Sequence, residues 1–233
     1  MILVLRGHIR NSFDNDNLYQ LVNEIHKNNG DLTIYIHTWN IIQSKLSWRR
    51  LETIDKPVSE NCIQTYFKDL SHLIKHIIID DDSNIELHGK LEGRVSNSRA
   101  PLLGWKRYWY GKNKIISYIQ DYLPEKKNEM IINCRFDVLS NLFPFPIEKI
   151  ISLIENNKNK NFHKNVFIYD VENLKYNQYL GIDNIYIGNI ETQSKLISHF
   201  HKNLDDVLKK YSTPHQEHIV FNVNNELFSS VEI

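Results

Sequence analysis

The chain has little of what usually announces a function. It carries two cysteines in 233 residues, Cys62 and Cys134, and neither stands in a CxxC pair. That excludes a disulfide framework and a paired-cysteine redox or zinc motif. Cys134 lies inside an apolar run and is expected to be a buried, reduced thiol. Net charge is also missing, because 28 Lys and Arg balance 28 Asp and Glu. Neutrality argues against a nucleic-acid protein built on a broad basic surface, but it leaves room for a local basic site. No apolar run approaches the ~20 residues of a membrane span. The opening MILVLRGHIR is too short for a signal core and is broken at Arg6. A cytoplasmic protein with no transmembrane segment is expected. Glycine-rich phosphate loops are absent: there is neither GxxxxGK(S/T) nor GxGxxG. HExxH and GxSxG are absent too, which removes the commonest zinc-protease and serine-hydrolase readings. Eight glycines and six prolines beside a heavy load of Asn, Lys and Ile point to AT-rich coding, not to chemistry.

What is present is an alternation of buried runs and amphipathic stretches. ILVLRGHIR opens as a strand buried on both faces. In NLYQLVNEIHKNNG, Leu18, Leu21, Val22 and Ile25 fall at helical spacing, and Gly30 can close the helix. DLTIYIHTW reads as a second strand. Ser59 caps a helix through ENCIQTYFKDLSHLIK, and HIIIDDD is a third buried strand. Residues 83–101 are irregular; LLGWKRYWYGKNKIISYIQDYL then resumes helical character. MIINC is a fourth strand, IEKIISLIENN a helix, and NVFIYD and NIYIGN two short strands. ETQSKLISHFHKNLDDVLKKY is a long amphipathic helix, and residues 212–233 form a tail. Strands alternating with helices predict an α/β fold, a mostly parallel sheet with helices on both faces. With no repeat and no linker, residues 1–233 are read as one domain.

The strand ends carry the chemistry. The first run ends in Arg6, Gly7, His8 and Arg10, the second in His37, Thr38 and Trp39, the third in Asp80, Asp81 and Asp82, and the fourth in Arg135 and Asp137. In parallel strands these groups converge on one rim, where open α/β sheets bind ligands. Arginines, carboxylates and aromatics together suit a phosphate-bearing ligand with a ring to stack on. Each end also has a plainer reading: Arg135 with Asp137 as a surface ion pair, the aspartates as turn formers, and Trp105 and Trp109, four apart, as core.

Several stretches resemble, in order, a group of glycosyltransferases of polysaccharide and O-antigen synthesis. VLRGHIRNSFDN followed by DLTIYIHTW is similar to the group's first two strands. IINCRFDVL is similar to the stretch in the place of a DxD motif. GIDNIYIGNIETQSKLISHF and TPHQEHIVF are similar to its later blocks. Two features depart from the pattern. Arg135 holds one acidic position of the DxD-like place, and the usual Pro-Glu is split into Pro214, His215, Gln216 and Glu217.

The resemblance implies a GT-A-like fold that moves a sugar from a nucleotide-sugar donor to a glycan or other hydroxyl acceptor. It implies donor contacts at Arg6, Gly7, Arg10, His37, Asp80, Asp81, Arg135 and Asp137. It implies a carboxylate base, Asp183 first and Glu217 second. Where a member uses Mn²⁺ or Mg²⁺, Asp137 suits the ion by type, with His215 or His218 completing the site. In a metal-free version Arg6, Arg10 or Arg135 neutralises the diphosphate. Segment 83–110, with Arg94, Arg99, Trp105 and Trp109, is a candidate acceptor lid. Two other readings stay open: a sulfotransferase-like enzyme using RGHIRNS as a phosphate loop, and a non-catalytic nucleotide-sugar-binding protein.

Overall fold

Continuous apolar runs become strands buried on both sides. The computed structural model describes residues 1–47, 49, 51–96, 98–141, 144–168, 181–211 and 215–229. Strands β1 (Ile2–Arg6), β2 (Thr33–Trp39), β5 (Ile74–Asp80), β6 (Met130–Arg135), β7 (Val166–Phe167) and β8 (Ile185–Asn189) form one sheet in the order β5-β2-β1-β6-β8-β7. The first four pair in parallel, whereas β8 runs antiparallel to both β6 and β7. The α/β class and the mostly parallel sheet are as expected.

Side chains alternate across the sheet. Leu3, Leu5, Ile34, Ile36, Ile132 and Ile187 pack with α1 (Asn17–Asn29), α2 (Glu60–Phe67) and α4 (Ile147–Glu155). Ile2, Val4, Tyr35, Ile131 and Tyr186 pack on the opposite face with α3 (Leu102–Tyr122), α5 (Ile190–Lys210) and α6 (Gln216–Phe228). Each fully buried aliphatic side chain contributes roughly 1.5–3 kcal/mol, so both layers are strongly held. The α1 stripe is the anticipated one, Leu18, Leu21, Val22 and Ile25, and the chain leaves it through Gly30 at φ 69.

Three expectations need correction. The helix begun at Ser59 ends at Phe67, where Lys68 takes φ 51; a 3₁₀ turn (Lys68–Leu73) follows, and β5 starts at Ile74. Residues 212–233 were read as a tail, but their described part is α6. Strands β3 (Ile41–Gln43) and β4 (Ile54–Pro57) form a separate antiparallel pair that periodicity did not reveal, since three- and four-residue strands carry almost no pattern. Residues 169 and 170 of the expected NVFIYD strand, and Pro214, lie outside the described residues.

The register sets up the site. Arg6 stands opposite His37 on one side and Arg135 on the other, and Trp39 stands opposite Asp80. Because β8 is antiparallel, its N-terminal end meets the C-terminal end of β6, with Ile185 opposite Cys134. The Arg135 N–H donates to the Asn184 carbonyl at 2.9 Å. Asp183 is thereby carried to the same rim as the arginines.

Candidate active site

Arg6, His37, Trp39, Asn133 and Arg135 share the parity of Ile2, Val4, Tyr35 and Ile131, so all point toward α3. Arg6 is 2% exposed. Its Nε donates to Asn133 Oδ1 and its Nη2 to the Asp183 carbonyl, and the guanidinium lies 4.8 Å from the centre of the Tyr108 ring. Asn133 is itself fixed, donating to Gln193 Oε1 at 3.1 Å, while Gln193 Nε2 donates to the Ile131 carbonyl at 3.0 Å. A chain of buried amides thus aims one guanidinium, whose Nη1 is left without a protein partner. Helix α3 comes close because Gly111 has no side chain: a Cβ there would sit 2.5 Å from the His37 ring.

The strand does not continue to Asp137. It ends at Arg135, and Asp137 sits in a 3₁₀ turn (Phe136–Leu139). The two residues meet all the same: Arg135 Nε and Nη2 donate to the two Asp137 oxygens at 2.8 Å each. Arg10 and Arg49 also bond Asp137 Oδ2, the latter at 3.4 Å. Arg10 reaches inward from a left-handed backbone, φ 55, an uncommon state for a non-glycine residue and one that recurs at functional sites. Burial alone would raise the Asp137 carboxyl; the guanidiniums of Arg135, Arg10 and Arg49 overturn that and hold it well below the usual carboxylate range. One buried anion therefore organises three arginines.

Between the strand ends and α3 lies a groove with two lobes. The inner lobe is lined by Arg6, His8, Arg10, Trp39, Asp82, Arg107, Lys112 and Arg135. Four arginines face one carboxylate there, and that carboxylate, Asp82, is already paired with Arg107 at 2.7 Å. Burial, then Arg10 and Arg107, push the His8 imidazole down to about 3, so it is neutral at physiological pH. The outer lobe adds Arg49, Trp105, Asp183 and Gln216, and shares Arg10, Tyr108 and Arg135 with the inner one. The neutral chain thus concentrates positive charge where an anion would sit.

One carboxyl, Asp183, lines the outer lobe; Glu217, next to the lining residue Gln216, does not. Asp183 is 4% exposed, and its carboxylate forms no hydrogen bond or ion pair among the described residues. Glu217, in the first turn of α6, is pushed up to about 8 by burial and then by Asp183. Between its ordinary 4.5 and about 8 the folded form holds the extra proton, so stability falls as pH rises through that window. Glu217→Gln should flatten this slope and stabilise the fold above the window by on the order of 2–4 kcal/mol. Urea unfolding at either end of the window measures it, and an unchanged slope would contradict this environment for Glu217.

The structure brings Arg6, Gly7, Arg10, His37 and Arg135 to the inner lobe. Trp105 and Asp183 line the outer one. Other residues singled out from the sequence lie elsewhere. Asp80 is taken by His37 at 3.1 Å and Lys114 at 2.6 Å. Asp81 is exposed and accepts from the Ser83 N–H and hydroxyl. Of the three aspartates, Asp82 reaches the groove. Arg94 and Arg99 are exposed on the loop before α3. Trp109 is a core residue, 0% exposed and stacked on Phe200 at 4.0 Å, with no face left for a sugar. His215 is exposed and packs beside His218, ring centres 5.6 Å apart. Arg49, Arg107, Tyr108 and Lys112 were missed. Lys112 left a signal, a lysine three residues after Trp109 and four before Ile116 on the apolar stripe of α3.

A divalent cation does not fit at Asp137. Both carboxylate oxygens are engaged by guanidiniums, and the surrounding charge is positive. No three His, Cys, Asp or Glu side chains gather as a metal site among the described residues. This donor set suits the expected metal-free version better than Mn²⁺ or Mg²⁺ held by Asp137 and His215.

No family model matches the chain, and no curated protein matches it. Among solved structures it is similar to the galactosyltransferase LgtC, solved in complex with donor and acceptor sugar analogs, at 12% identity over 98% of this chain and 70% of that one, with a TM-score of 0.49. It is also similar to 4-diphosphocytidyl-2C-methyl-D-erythritol synthase, at 9% identity over 95% of this chain and 96% of that one, with a TM-score of 0.38. Neither likeness is close enough to carry a functional argument, so the reading below stands on the residues of the site. No described helix is long and apolar enough to cross a membrane.

Proposed function

We propose that the protein is a metal-independent glycosyltransferase of GT-A-like fold, taking a nucleotide-sugar donor in the inner lobe and a glycan or other hydroxyl acceptor in the outer one. The observation that carries this is a four-arginine pocket opening onto a second lobe lined by Asp183, a nearly buried carboxylate with no hydrogen bond or ion pair among the described residues. Guanidinium forks match diphosphate oxygens and stay charged throughout a reaction. Arg6, Arg10, Arg107 and Arg135 would offset the charge that grows on the leaving diphosphate, the task a cation performs elsewhere. Trp39 also lines the inner lobe, but it is 3% exposed and stacks with both His8 and Tyr110.

In this reading Asp183 is the base. The acceptor hydroxyl passes its proton to the Asp183 carboxylate as its oxygen bonds the anomeric carbon; the bond to the diphosphate breaks with its electrons leaving on the nucleotide. Glu217 is the poorer candidate, since unlike Asp183 it does not line the groove. Trp105 at the outer lobe can support an acceptor sugar. The sulfotransferase-like reading loses its main support, because ten residues separate the end of β1 from the start of α1 and the loop does not run directly into a helix N-terminus.

A thermal-shift panel of UDP-, GDP-, CMP- and dTDP-sugars tests the binding half. One class should raise Tm equally in EDTA and in Mn²⁺. A shift that needs Mn²⁺ would contradict the arginine site, and no shift with any of them would contradict the donor assignment.

A further inference from the structure

The floor of the inner lobe holds an amine that the proposed mechanism does not use. Lys112 is 1% exposed and its Nζ has no hydrogen-bond partner among the described residues. The nitrogen lies 4.1 Å from the Tyr108 ring centre, 4.2 Å from Trp109 and 4.6 Å from Tyr186. Aromatic faces attract a cation, but they do not replace water as hydrogen-bond acceptors for an ammonium. The charged groups around it divide. Arg6 on β1 and Arg135 on β6 oppose a further positive charge; Asp183, before β8, favours one. His37 on β2 packs against the neighbouring Gly111 and is engaged by Asp80. Burial, followed by Arg6, drives the amine well below the ordinary lysine range.

We propose that Lys112 is a ligand-protonated receptor for the donor diphosphate: the amine rests neutral, takes one proton from solvent as the anion enters, and gives it back when the nucleotide leaves. This rests on the reading of the groove as a nucleotide-sugar site. A diphosphate beside Arg6 supplies both missing elements, a counter-charge and oxygen acceptors. The neutral resting state spares the empty groove another buried cation next to the arginines. Binding coupled to proton uptake weakens as pH rises, because fewer protons are available to bind.

Titration calorimetry with the nucleotide-sugar that binds, run in buffers of different ionisation enthalpy at one slightly alkaline pH, counts the protons. An esterified diphosphate has no group of its own titrating there. The wild-type protein should take up about one proton per ligand, Glu217→Gln about the same, and Lys112→Met about none. Lys112→Met should also bind more weakly by roughly tenfold or more. Binding without proton uptake by the wild-type protein overturns the inference and leaves the proposed function standing, and so does equal uptake by Lys112→Met. Should Lys112→Met not fold, the wild-type buffer series alone decides. Failure of every nucleotide-sugar to bind overturns the proposed function and this inference with it.

Discussion

Asp183→Asn is expected to lower the rate of sugar transfer by about 10²–10⁴-fold, the usual worth of a general base, while changing donor affinity by no more than a few-fold. The split follows from geometry. The Asp183 side chain lines the outer lobe with no ion pair among the described residues, whereas Arg6 and Tyr108 hold its backbone carbonyl, which the substitution keeps. The asparagine therefore preserves the local hydrogen bonds and removes only the proton acceptor. Steady-state kinetics with separate donor titrations give the two quantities. Equal losses in affinity and rate would make Asp183 a structural residue. An unchanged rate would remove it from the chemistry and return attention to Glu217.

The second large effect is on the fold. Asp137→Ala should cost about 3–5 kcal/mol, because it leaves the partly buried guanidiniums of Arg135, Arg10 and Arg49 together without their shared, buried anion. For a chain of this size that is a fall in Tm of roughly 6–20 °C. The pH behaviour has a definite sign. The Asp137 carboxyl is depressed in the fold, so its contribution is complete above the ordinary aspartate range and is lost as pH falls toward the depressed value. Acid unfolding of the wild-type protein should therefore be steep, and that of Asp137→Ala shallower. A near-neutral Asp137→Ala would mean that the three arginines are satisfied by water, and the preorganised anion site would go with them.

The rim was legible because buried strands cannot hide polar ends. Arg6, His37 and Arg135 each follow an apolar run, and parallel pairing made their convergence a necessary consequence. Asp183 was a harder case. It precedes its strand, so in an all-parallel sheet it would stand on the opposite edge; only the antiparallel course of β8 brings it to the groove. Strand direction leaves no trace in hydrophobic periodicity, and the resemblance to a known family supplied Asp183 where pattern could not. Arg49 was out of reach for a different reason. It lies in the loop that joins β3 to β4, far in sequence from Asp137, and no local rule links the two. Trp105 and Trp109 looked alike as a pair on one helix, yet one lines the outer lobe and the other stacks on Phe200 in the core. The three aspartates after β5 were equally alike; the turn of the chain, not their chemistry, decides that Asp82 faces the arginines.

The departure at Arg135 has the widest consequence. Where an acid would help to hold a cation, this chain has an arginine that grips the remaining acid with both of its forked donors. Under the proposed function, the same exchange that removes a metal ligand places a fixed positive charge where the donor diphosphate would lie. Release of nucleotide from the cognate nucleotide-sugar, followed in excess EDTA, tests this most directly. Turnover at the rate seen with Mn²⁺ or Mg²⁺, abolished by Asp183→Asn, is the predicted result. Turnover that EDTA stops and a divalent cation restores would contradict an arginine-neutralised site.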